Sequence, residues 1–86
     1  MTQVTLYGKA GCHLCSEARE VVNALREELH FDLEEVDVSL DPRLHNAYGE
    51  RIPVVAIDGQ DALELVISER DLRTVLAEAG EGPPVQ

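Results

Sequence analysis

Cys12 and Cys15 are the chain's two cysteines, set three apart as Cys12-His13-Leu14-Cys15. Two thiols at this spacing support three chemistries: electron exchange as a dithiol and disulfide, a permanent bridge, or half of a zinc site. The spacing suits the first, because residues one helical turn apart have Cα atoms about 5–6 Å apart, within disulfide reach. A permanent bridge gains little here. Closing so short a loop contributes about 2 kcal/mol by loop entropy, against about 5 kcal/mol for a loop of about 100 residues. A closed zinc site needs four ligands, and the chain offers one Cys-x-x-Cys pair, to which His13 and His45 could contribute. His13 lies between the cysteines, where neighbouring helix residues point apart.

Position strengthens the exchange reading. Val4–Tyr7 reads as a strand, Gly8-Lys9-Ala10-Gly11 as a flexible connection, and a helix is expected from Cys12 to about Leu29. Unpaired backbone N–H groups and the helix dipole at such a tip favour a thiolate at Cys12, and Lys9 adds local positive charge. The overall negative charge opposes this, but it is spread out and screened over about 8 Å at physiological salt, so the local terms prevail. Cys12 is then the exposed nucleophile. Cys15, one turn in on a buried stripe with Leu14 and Ala18, is the resolving thiol that attacks Cys12 and releases the reduced product. His13 either tunes the pair by charge when protonated or is simply exposed at the helix start. His30 favours the helix's C-terminal dipole, and His45 reads as a surface residue.

The elements that must hold these thiols follow from hydrophobic spacing. The helix carries its apolar stripe on Leu14, Cys15, Ala18, Val21, Val22, Leu25 and Leu29. Phe31–Val38 is a second strand in which Phe31 and Leu33 share one parity and Val36 and Val38 the other. Either both faces are covered or a bulge sits near Glu34-Glu35. Asp41-Pro42 caps and opens a short helix to about Tyr48, ended by Gly49. Ile52–Ile57 is an almost continuous apolar run, suited to a central strand. Asp58-Gly59 turns a hairpin into Ala62–Ile67. Ser68 caps a last helix, with Asp71 in a short capping box, a stripe on Leu72, Val75, Leu76 and Ala79, and Gly80 as its stop. The order is β-α-β-α-β-β-α. Residues 1–80 read as one domain and residues 81–86, with Pro83-Pro84, as a flexible tail.

Composition narrows the function classes. The chain has 86 residues, 44% of them hydrophobic and 3% aromatic, so its core must come from Val, Leu, Ile and Ala. A formal net charge of -10 argues against nucleic acid and against anionic membranes as partners. No segment is apolar enough to span a bilayer and no signal peptide is visible, so the expected setting is a reducing cytoplasm.

The Cys-x-x-Cys at a helix head, together with Arg51-Ile52-Pro53-Val54 at the start of the third strand, resembles the glutaredoxin family. The resemblance runs from Val4 to about Ala79 and is strongest to small glutaredoxin-like proteins with an abbreviated thioredoxin fold. It implies an α/β fold with a four-stranded mixed sheet and helices on both faces. It also implies a cis Pro53 beside the thiols, and an Ile52 backbone that pairs with substrate. Lys9 and Arg51 match positions that hold glutathione charges, and Ser68 heads the helix that would offer N–H groups to a carboxylate. The pattern departs from the family at His13-Leu14, where Pro-Tyr is common. It departs again at Val66-Ile67, where the family carries a Gly-Gly pair ahead of a small acidic segment that binds glutathione.

The expectation is a monomeric thiol–disulfide oxidoreductase that reduces protein or small-molecule disulfides. It needs no metal or organic cofactor, and glutathione or a thioredoxin-reductase-like enzyme recharges it. His13, Lys9, Arg51, Ile52, Pro53 and Ser68 line its substrate site. The rivals are a redox-sensing interaction module with little turnover and a zinc or copper carrier using the same cysteines.

Overall fold

The computed structural model describes residues 2–81. Four strands, β1 (Gln3–Gly8), β2 (Asp32–Asp37), β3 (Val54–Ile57) and β4 (Gln60–Glu64), form one sheet in the order β2-β1-β3-β4. β1 pairs with β2 in parallel, and the other two pairings are antiparallel. Three helices accompany them: α1 (His13–Leu29), α2 (Pro42–Tyr48) and α3 (Glu69–Glu81). A 3-10 turn over Val38–Leu40 leads into α2. This is the abbreviated thioredoxin fold that the resemblance implies, with a mixed sheet of four strands.

Strand alternation divides the interior in two. Val4 and Leu6 of β1 and Val55 and Ile57 of β3 join Ala18, Val22 and Leu25 of α1 and Leu72 and Leu76 of α3 in the main core. Burying side chains of this size contributes about 1.5–3 kcal/mol each. Tyr7 has the other parity and lies in a second cluster with Cys15, Val38, Ile52, Leu44 and Tyr48. Helices α1 and α3 therefore cover one face of the sheet and α2 the other.

The two faces settle the parity question in β2. Its pairing with β1 runs without a shift from Gln3↔Asp32 to Gly8↔Asp37, so there is no bulge at Glu34-Glu35. Phe31 and Leu33 belong to the main core, whereas Val38 belongs to the second cluster. The irregularity of the sheet falls instead between Val55 and Ala56, opposite β4.

Several expected boundaries move. α1 begins at His13, because Cys12 is extended and serves as its N-cap. β3 begins at Val54 rather than Ile52, since Pro53 has no N–H for a ladder. β4 starts directly after the Asp58-Gly59 turn, where φ is 51 at Asp58 and 87 at Gly59, and it stops at Glu64 instead of Ile67. Leu65 takes a left-handed φ of 69, and Ile67 then turns into the core. α3 continues past Gly80 to Glu81. Leu14, Leu29 and Ala79, expected on buried stripes, are exposed. Leu14 sits about 100° around the helix from Cys15, off the line through Ala18, Val22 and Leu25. The expected flexible tail lies, apart from Glu81, outside the described residues.

Candidate active site

β1 ends at Gly8, and the connection reverses through Gly11, whose φ of 81 favours glycine. This brings the chain to Cys12 at the head of α1. As N-cap, Cys12 turns its sulfur over the first helical turn, where Sγ accepts the backbone N–H of Cys15 at 3.2 Å. A sulfur atom thus occupies the place usually held by a capping oxygen, facing N–H groups and the positive end of the helix dipole.

Cys12 is partly exposed and Cys15 is 2% exposed; both are free thiols. Burial first, and the hydrogen bond with the Cys12 sulfur second, push the Cys15 thiol up to about 11. The backbone N–H of Lys9 and the charge of Arg19 pull the other way. The two sulfurs therefore differ sharply in environment although one helical turn separates them.

Gly8 makes the close fit behind Cys15. A Cβ at that position would stand 3.1 Å from Cys15 Sγ and 3.2 Å from its Cβ. Beside this contact lies a cavity of about 200 Å³, bounded by Gly8, Lys9, Cys15, Arg19, Glu35 and Asp37 among others. Arg19 is tied to Glu35 at 2.8 Å across it. The Asp37 carboxyl is held below its ordinary range, chiefly by hydrogen bonds from Ser39 and also by the charge of Lys9.

The structure brings Ile52 to the cysteines, in one cluster with Cys12 and Cys15. The Ile52–Pro53 bond is cis, as the resemblance implies, and Pro53 is fully buried. Its carbonyl accepts the N–H of Leu65 at 2.8 Å, which links the segment to the exposed residues Leu65 and Val66 ahead of α3.

The other expected binding residues are engaged elsewhere. Arg51 donates to Glu64 at 3.0 Å and to Asp61 at 3.2 Å, and its guanidinium lies 5.2 Å from the centre of the Tyr48 ring. Tyr48 in turn stacks on Tyr7 at 4.4 Å and donates to Asp61 at 3.1 Å. His13 projects into solvent and meets Glu17 at 2.9 Å. Ser68 caps α3, its Oγ accepting from the Asp71 N–H at 3.1 Å. Among the described residues, no three His, Cys, Asp or Glu side chains are grouped to hold a metal ion.

Sequence reasoning missed Gly8, the Tyr7–Tyr48 stack and the Asp61–Glu64 pair. The parity of Tyr7, opposite to the core residues Val4 and Leu6, was the one signal that could have found the stack. Nothing local marked the others, since each depends on strands that meet only in the fold.

The sheet order, the helix placement and the cysteine pair at the head of α1 define a thioredoxin-fold protein. Residues 3–77 match the model of the Glutaredoxin-like domain (DUF836), and the chain belongs to that family. An uncharacterized protein of Mycobacterium tuberculosis and one of Mycobacterium bovis are each 34% identical to it over 87 aligned positions, covering 95% of this chain and 90% of theirs. A structural-genomics target protein from X. campestris is 32% identical with a TM-score of 0.73, covering 85% of this chain and 93% of its own. A point-mutant thioredoxin from Halobacterium salinarum is 25% identical with a TM-score of 0.74, covering 96% of this chain and 78% of its own. A glutaredoxin-like fold with this cysteine pair points to a redox-related function.

Proposed function

We propose that the chain is a thiol–disulfide oxidoreductase that reduces protein or small-molecule disulfides with Cys12 as nucleophile and Cys15 as resolving thiol. The observation that carries this reading is the Cys12 sulfur at the N-cap of α1, 3.2 Å from the Cys15 N–H, with Cys15 buried behind it. The Cys12 thiolate attacks one sulfur of the substrate disulfide, and the other leaves as a thiolate that takes up a proton. Cys15 then loses its proton and attacks the Cys12 sulfur of the mixed disulfide. The second substrate thiol departs, and two electrons have passed to the substrate. The chain is left with a Cys12–Cys15 disulfide, which an external thiol reductant reopens in a reducing compartment such as the cytoplasm. Ile52 shares a cluster with the cysteines, and Ile52-Pro53 is the segment against which a substrate backbone would lie.

Insulin reduction with dithiothreitol as electron donor tests the proposal. The wild-type chain is expected to accelerate the reaction well above the dithiothreitol background, and Cys12→Ser to return it to background. Cys15→Ser is expected to accumulate a mixed disulfide on Cys12, visible by mass. A wild-type rate equal to that of Cys12→Ser would overturn the oxidoreductase reading in favour of a thiol-bearing interaction module.

A further inference from the structure

Resting on that reading, we propose that the Cys12 site selects polypeptide disulfides with cationic or neutral flanks and discriminates against glutathione, which carries two carboxylates. The groups near the thiols that would welcome an anion already have acids of the chain itself beside them. Arg51, next to Ile52, is bonded to both Glu64 and Asp61, so this cluster carries one more negative charge than positive. Its side chain is further held by the Tyr48 ring and by the Ala47 carbonyl at 3.4 Å. An incoming carboxylate must displace two residents from a guanidinium they hold in place.

The first turn of α3 offers no better receptor. It reads Glu69-Arg70-Asp71, one cation between two acids, and the Ser68 hydroxyl already takes the Asp71 N–H. On α1, His13 stands against Glu17. Lys9 lines the cavity that Glu35 and Asp37 also border. What remains open beside Pro53 is apolar: Leu65 is 44% exposed and Val66 68%. Leu14, between the cysteines, is 38% exposed. An apolar rim set among acids that outnumber their cations fits a polypeptide with basic and hydrophobic residues around its disulfide, and the formal net charge of -10 steers such a partner inward.

The local potential can be read without turnover. Methanethiosulfonate reagents carrying a trimethylammonium or a sulfonate group transfer their thioalkyl group to the Cys12 thiolate. A Cys12–S–S–R bond forms and methanesulfinate leaves. We expect the cationic reagent to be favoured about tenfold or more at low salt, relative to the same ratio for 2-mercaptoethanol, with the preference fading near 1 M salt. Asp61→Asn combined with Glu64→Gln should shrink the preference severalfold by freeing Arg51. In single turnovers of the reduced chain, cystamine should be reduced at least about tenfold faster than oxidised glutathione. A normalised reagent ratio at or below one, or glutathione disulfide reduced as fast as cystamine, overturns the proposal. If the reagent preference appears but cystamine, glutathione disulfide and insulin are all left intact, selection by charge stands and the oxidoreductase reading fails.

Discussion

Burial holds the Cys15 thiol up at about 11 while its position one turn behind Cys12 demands that it attack. The same burial that protects it as a thiol in the resting chain makes its deprotonation the demanding step of resolution. A folded-state value above the ordinary cysteine range means that the reduced protein is favoured by keeping Cys15 protonated. That contribution is intact below the unfolded value of about 8.5 and is lost as the pH rises toward about 11. Thermal melts of the reduced chain should therefore fall between these pH values, and Cys15→Ala should flatten the decline. Gly8 is a second constraint at this scale. Because a Cβ there would press on Cys15, Gly8→Val should cost about 1–3 kcal/mol of stability in urea unfolding and slow release of the mixed disulfide. An unchanged unfolding midpoint would mean that Cys15 shifts into the adjoining cavity without penalty.

Short elements with good signals were legible from sequence, and elements defined by tertiary contact were not. Asp41-Pro42 announced α2, and the structure has Asp41 accepting the Arg43 N–H at 2.9 Å with Pro42 opening the helix. Asp58-Gly59 announced the hairpin, because two adjacent positive φ angles suit few other pairs. The end of β4 was illegible. Ala62–Ile67 reads as one strand, yet Leu65 leaves the ladder and Val66 faces solvent, since the strand must give way to α3. The thiol pair was plain from Cys-x-x-Cys, whereas the fate of Arg51 was not. Its partners Asp61 and Glu64 lie 10 and 13 residues away, on a strand whose register no local pattern reveals. α2 offers the direct test at this scale. It contributes no fully buried residue and depends on its cap and on Tyr48 stacked upon Tyr7. Asp41→Ala should cost about 1 kcal/mol, read by denaturant unfolding. Backbone amides of residues 42–48 should exchange faster in that variant, while those of β1 keep their protection.

Taken whole, the molecule carries 17 acidic and 7 basic side chains, a formal net charge of -10 that repels itself across the surface. Its ion pairs are exposed, Arg19–Glu35 and Arg73–Glu28 among them, and pairs of that kind contribute little once screened. Repulsion should then dominate the response to salt. At pH 7 the melting temperature is expected to rise as sodium chloride goes from about 10 mM to about 0.5 M, because screening relieves more repulsion than attraction. Acid acts through the same balance with a second component. Arg73 holds the Glu28 carboxyl low, and Ser39 does the same for Asp37. Carboxyls whose folded values lie below their unfolded ones add stability that is present above about pH 4 and is lost as the pH falls through the folded values. Mild acidification from pH 7 to about 5 leaves those pairs ionised, so stability should hold. Below about pH 4 it should fall. Melting curves over a grid of pH and salt separate the two components. A melting temperature that drops steadily with salt at pH 7 would show that attractive pairs, not the surplus of acids, govern the fold.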